Sequence, residues 1–115
     1  MVCIRDNIKG GALTETTLLV LLAVHKPNHG YGIMQFIEKE TGGRVVLGAG
    51  TLYGAINALL KKKWITPSGS EADGKKKQYV ITDAGKQKVG EELKRMGEVL
   101  KLASAIVKGE RGANE

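Results

Sequence analysis

The feature that most constrains this chain is a seam of apolar residues towards its C-terminal end. Val89, Leu93, Met96, Leu100, Ala103 and Val107 follow one another at steps of 4, 3, 4, 3 and 4 residues. That spacing predicts a single helix from near Asp83 to about Lys108, with a heptad stripe along one side. About 26 residues of helix span roughly 39 Å. The remainder of the 115-residue chain makes one small domain, too short to cover a stripe of that length. Part of the seam therefore wants a partner, and a second copy of the chain is the expectation. The alternative is that it folds back on the domain's own core. Gly90 and Gly97 cost the helix up to about 1 kcal/mol each, and are expected to mark close approach of another backbone.

Ahead of this helix the chain reads as three shorter helices and a hairpin. Residues 1–13, interrupted by Gly10 and Gly11, read as a loose arm or a short helix. Thr14 is a suitable N-cap and Glu15 suits the positive end of a helix dipole. The first helix runs to about Val24 and stops at Lys26-Pro27, because the residue before proline disfavours the α region. Its apolar residues cover nearly every face, which places it centrally in the core. A second helix spans about Tyr31 to Thr41, with Ile33, Phe36 and Ile37 on one side and Gly42-Gly43 as its stop. Val45-Val46-Leu47 is an extended connector or small strand. The third helix covers about Ala49 to Lys63, with Leu52, Ile56, Leu59 and Leu60 on one stripe. Trp64-Ile65-Thr66 and Gln78 to Thr82 then read as two strands flanking a turn-rich loop, Pro67 to Gly74, and Lys75-Lys76-Lys77.

The fold class is thus mainly α (α+β). It is a winged helix-turn-helix with a two-stranded wing and a long C-terminal dimerisation helix. Residues 1–82 are expected to form the winged domain, and residues 83–115 the dimerisation helix and tail. With 42% apolar residues and only five aromatics, the chain can build only a modest core, consistent with help from a second subunit.

Charge placement points to a partner. From Arg44 to Lys88 there are nine Lys/Arg and three acids, a surplus equal to the formal charge of +6 for the whole chain. A basic surplus confined to one segment suits an anionic polymer. Helices two and three, joined by a short connector, make a helix-turn-helix candidate. A helix of about 10–12 Å diameter fits the roughly 12 Å major groove of DNA. Such a helix needs one apolar stripe for the domain and one small, polar stripe for base edges, and the third helix offers both. Backbone N–H groups near Gly48 and Gly50 suit a phosphate, and the three wing lysines suit backbone contacts that carry no sequence information.

The stretch His29-Gly30-Tyr31-Gly32-Ile33, then Gly50-Thr51-Leu52-Tyr53 with Ile56 and Leu59, then Tyr79-x-Ile81-Thr82-x-x-Gly85, resembles the PadR family of winged-helix transcriptional regulators. The match covers residues 13 to 85. It implies a homodimer that represses a promoter, with the last helix packed across the two-fold axis. It also implies that Thr51, Tyr53 and Asn57 lie on the DNA-facing side of the third helix. The DNA-binding candidates are therefore Tyr31, Gly50, Thr51, Tyr53, Asn57, Lys61, Lys62, Lys75, Lys76 and Lys77. Three positions depart from the family pattern: Gly48-Ala49 replaces the usual Ser-Pro, and Trp64 stands where glycine is common. Trp64 is expected to pack at the base of the wing. Some small relatives hold flat aromatic ligands between tryptophans of the last helix, and this last helix has no aromatic residue. Whether a small-molecule effector exists is left open.

Other readings fare worse. Val45 to Gly50, followed by Gly54 and Glu71, looks like a dinucleotide-binding turn, but no series of alternating strands and helices accompanies it. His25 and His29 stand four apart beside a turn, where capping or solvation is the ordinary role. The single cysteine, Cys3, rules out an internal disulfide or a multi-cysteine metal site. No enzyme, cofactor or metal is expected. The longest apolar run, Leu18 to Val24, is far short of the roughly 20 residues that span a bilayer, and no signal-peptide cleavage pattern follows it. No membrane partner is expected, and the expected location is the cytoplasm. The remaining rival is a winged helix used as a protein-interaction adaptor.

Overall fold

A computed structural model describes residues 12–69 and 77–109. The order of elements is α1 (Glu15–Ala23), β1 (Asn28–His29), α2 (Gly30–Glu40), α3 (Ala49–Lys61), β2 (Ile65–Ser68), β3 (Gln78–Ile81) and α4 (Asp83–Val107). Thr14 caps α1 as the sequence suggests, its hydroxyl oxygen accepting from the Thr17 N–H at 3.1 Å. Leu18, Val20, Leu21 and Ala23 of α1 are all buried. Gly42 and Gly43 leave α2 with φ of 61° and 84°, a left-handed exit that glycine makes without steric cost. The connector from Thr41 to Gly48 contains no strand, although Val45 to Leu47 had strand potential. Its polar groups are satisfied locally: the Thr41 hydroxyl donates to the Ile37 carbonyl at 2.7 Å and accepts from the Val45 N–H at 3.1 Å. Arg44 of this connector is ion-paired with Glu15 at the start of α1, and each holds the other more firmly in its charged form.

The sheet is larger than the expected two-stranded wing. β1 pairs antiparallel with β3, with Asn28 opposite Tyr79, and β2 pairs on the other edge of β3, with Ile65 opposite Ile81. Two residues are too few for a period-2 signal, so β1 is specified by its neighbours. Asn28 fixes it, its amide donating to the Ala23 carbonyl at 3.2 Å and its carbonyl oxygen accepting from the His29 N–H at 2.9 Å. The Ile81 N–H also reaches the Val24 carbonyl at 2.9 Å. The winged domain is thereby tied to α1 from both sides of the helix-turn-helix.

One core gathers Val20, Leu21 and Val24, Ile33 and Ile37 of α2, Leu52, Ile56 and Leu59 of α3, and Ile65, Tyr79 and Ile81 of the sheet. Helix α4 touches it only by its first turns. Its N-cap is Thr82 rather than the expected Asp83: the Thr82 hydroxyl accepts from the Gly85 N–H at 3.1 Å and donates to the Lys63 carbonyl at 2.7 Å. Val89, expected in the dimerisation seam, is instead buried in the domain's own core. It is the single buried apolar side chain of α4 among the described residues. Glu92, also buried, ends the docked part. Its carboxylate accepts from the Arg95 guanidinium at 2.8 Å, and this bond, aided by the Leu13 N–H, holds it below the usual carboxylate range against the opposing effect of burial.

Beyond Glu92 the helix leaves the domain, and the molecule measures 65 × 31 × 26 Å along its principal axes. Leu93, Met96, Leu100 and Val107 of the seam are exposed, as is Ala103. So are Val99, Leu102 and Ile106, which the heptad count passed over. At about 100° per residue, these three widen the stripe to nearly half of the helix circumference.

Candidate nucleic-acid interface

The sequence of α3 divides its surface into two. Leu52, Ile56 and Leu59 are buried and hold the helix to the domain. On the opposite side lie Gly50, Gly54, Asn57 and Lys61, spaced 4, 3 and 4, all exposed. A Cβ placed on Gly50 or Gly54 would meet nothing within 4 Å, so this face is open at the backbone itself. Thr51 and Tyr53 stand on either flank of it, both exposed. Gly54 and the exposed Ala58 were not among the expected contacts. The signal was present, since Gly54 sits one turn from Gly50 on the same stripe. The start of α3 has no side-chain cap: Gly48 supplies only backbone.

Three of the expected residues come together from three elements. Tyr31 at the start of α2, Tyr53 of α3 and Lys77 ahead of β3 line one cleft of about 440 Å³, whose floor is His29, Gly30 and Tyr79. His29 builds the corner. It is the N-cap of α2, its Nδ1 accepting from the Gly32 N–H at 3.0 Å, and its backbone lies in β1 opposite Gln78. The motif that runs from His29 to Ile33 thus joins α2 to the wing. His25 bonds through its own Nδ1 to the Leu21 carbonyl at 3.1 Å. Neither histidine belongs to a metal-binding cluster among the described residues.

Lys61 and Lys62 part company at the end of α3. Lys61 stays on the outward stripe, whereas the Lys62 ammonium lies over the Trp64 ring, 5.3 Å from its centroid. Lys88 of α4 approaches the same ring at 5.6 Å. Trp64 is half-buried against the core at the base of the wing, as expected. Its backbone anchors α4, the Thr82 N–H donating to the Trp64 carbonyl at 2.9 Å. Lys75 and Lys76 lie outside the described residues. No helix among the described residues is long and apolar enough to cross a membrane.

Known proteins agree with this architecture. The family model described as the transcriptional regulator PadR-like family matches residues 18–91. An uncharacterized protein X of Lysinibacillus sphaericus is 32% identical over 108 residues, covering 92% of this chain and 97% of that protein. A transcriptional regulator from Clostridium thermocellum superposes with a TM-score of 0.68 at 24% identity, over 89% of this chain and 98% of its own. Bacillus subtilis PadR, solved in complex with operator DNA, superposes with a TM-score of 0.61 at 25% identity, over 70% of this chain and 47% of its own. By the match of its sequence over most of the winged domain, and by a fold shared with these regulators, the chain belongs to the PadR-like family of transcriptional regulators and not to a family of enzymes.

Proposed function

We propose that the chain regulates transcription as a homodimer that binds a pseudo-palindromic operator and represses by occupying promoter DNA. The observation that carries the reading is the outward face of α3: small and polar, open at Gly50 and Gly54, and held to the core by a wholly buried opposite stripe. Such a face admits the backbone close to a groove floor, while Thr51, Asn57 and Lys61 offer hydrogen-bonding groups to base edges and phosphates. The operator-bound state of the Bacillus subtilis relative supports DNA as the partner. The second helix and the wing frame the groove, with Tyr31, Tyr53 and Lys77 placed for the backbone and Lys75 and Lys76 adding to a salt-dependent attraction.

The exposed apolar side of α4 supports the dimer. Seven large apolar side chains from Leu93 to Val107 are solvent-exposed in the single chain, and a monomer seldom leaves so continuous a patch uncovered. Pairing two α4 helices covers it and sets the separation of the two α3 helices. Successive major grooves on one side of DNA lie about 34 Å apart. The experiment is selection of bound duplexes from a random pool at about 150 mM salt, the regime in which purely electrostatic binding has weakened. Enrichment of an inverted repeat with half-sites about 10 base pairs apart is expected. Absence of any enriched sequence would overturn operator binding and leave the protein-interaction reading of the winged domain.

A further inference from the structure

The geometry points to Gly30 as a positioning residue for DNA recognition: it is glycine because the ring of Tyr53 occupies the space a side chain would take, and that seat fixes the recognition helix against the wing. The inference rests on the proposed DNA-binding role. A Cβ on Gly30 would lie 2.2 Å from the Tyr53 hydroxyl oxygen, 2.8 Å from Cζ and 3.4 Å from Cε1. All three of the nearest non-local atoms belong to that one side chain. Gly30 is buried and is the first residue of α2, with no left-handed backbone angle, so an alanine there meets no conformational objection. The requirement comes from the ring alone.

The seat joins three elements. Tyr53 is carried by α3 on the flank of its outward face. Gly30 follows directly on β1, whose His29 pairs with Gln78 of β3. Lys77 precedes that pair and shares the cleft with both tyrosines. The phenol is thus wedged where α2, α3 and the wing meet, yet about half of it (45%) remains exposed towards the cleft. A groove-reading helix and a backbone-reading wing must hold their spacing to within about 0.5 Å. A rigid ring resting on bare Cα does this at a single point.

The test is a double-variant cycle on the full chain, using the duplex enriched in the selection above and Gly30→Ala, Tyr53→Ala and their combination. Nuclear Overhauser cross-peaks between the Gly30 Hα and the Tyr53 ring protons are expected in the wild type and should vanish in Gly30→Ala. The far end of a tyrosine can swing aside, so Gly30→Ala is expected to melt close to the wild type while binding the duplex about tenfold more weakly. Tyr53→Ala weakens binding by at least as much. The combined variant is expected to be no worse than Tyr53→Ala alone, because the alanine then has no ring to displace. Additive losses, or unchanged affinity in Gly30→Ala, would overturn the inference while leaving DNA binding intact. Failure of the wild type to enrich any duplex would instead remove the reading on which it rests. Should Gly30→Ala fail to fold, restoration of folding by Tyr53→Ala in the same chain supports the seat. A combined variant that stays unfolded refutes it.

Discussion

Two alanine substitutions, at Gly85 and at Gly54, should change stability in opposite directions, because one glycine is in contact with backbone and the other faces open space. A Cβ on Gly85 would stand 2.2 Å from the Trp64 carbonyl oxygen, 3.1 Å from its carbon and 2.7 Å from Ile81 Cγ1. Comfortable carbon contacts begin near about 3.5 Å, so the first turn of α4 must move by about 1 Å from the Trp64 peptide. That peptide is not free to yield. Its carbonyl accepts from the Thr82 N–H at 2.9 Å, and Thr82 both caps α4 and bonds to the Lys63 carbonyl. Overpacking of this kind costs about 1–3 kcal/mol, and loss of a helix cap about 1 kcal/mol more. The net expectation for Gly85→Ala is a destabilisation of about 2–4 kcal/mol. Gly54→Ala meets nothing within 4 Å and gains helix propensity, so it should stabilise by about 0.5–1 kcal/mol. Urea unfolding followed by circular dichroism reads both, at one fixed protein concentration because the proposed dimerisation would make the midpoint concentration-dependent. A Gly85→Ala protein as stable as the wild type would refute the claim that close packing of α4 on the Trp64 peptide holds the last helix to the domain.

The remaining predictions concern the last helix, a strained backbone, acid and salt. Leu100→Asp places a charge on an exposed seam position and should yield folded monomers, seen by light scattering; a persisting dimer would exclude pairing through this stripe. Lys63 closes α3 with φ of 63°, a conformation that burdens any residue with a Cβ. Lys63→Gly should therefore raise stability by about 0.5–1 kcal/mol in urea unfolding, and a decrease would show that the lysine side chain contributes more than its backbone costs. Glu92 is held below the usual carboxylate range by Arg95, so the unfolded chain takes up its proton first as pH falls. Its contribution is complete above the unfolded value near about pH 4.3 and is lost as pH drops through the folded value. The urea midpoint should fall below about pH 4.5 more steeply in the wild type than in Glu92→Gln, and equal slopes would rule the pair out as the source. Replacing Lys75, Lys76 and Lys77 with alanine should weaken binding to all duplexes alike and flatten its salt dependence, by about one unit of slope for each phosphate no longer neutralised. A change confined to one sequence would mean the wing reads bases.

Local patterns in the chain were enough to place the helices. Thr14, Gly42 and Gly43 act where their chemistry predicts, because caps and left-handed exits depend on neighbours within one turn. The stripe of Leu52, Ile56 and Leu59 announced which side of α3 is buried, and the outward side followed by elimination. The long seam announced a helix that outruns its domain. Short-range periodicity records which face is apolar; it does not record what covers that face. Hence Val89 belongs to the domain's core although it sits in register with the exposed seam, and Val99, Leu102 and Ile106 join the apolar side although they lie off the heptad.

What tertiary structure alone decided is which residues far apart in the chain meet. The pairing of β1 with β3 is set by a turn at Asn28 and by the wing some 50 residues later, and two residues have no pattern of their own. Thr82 takes the cap from Asp83 because its hydroxyl also reaches Lys63 across the base of the wing. The cleft exists only where α2, α3 and the wing converge, and Gly30 has its meaning only because Tyr53 lies upon it. Amphipathic order is encoded residue by residue along the chain, and it determined the helices and their buried sides. The spacing between those helices is a property of close packing in three dimensions, where an ångström of backbone or one methyl group decides which side chains meet.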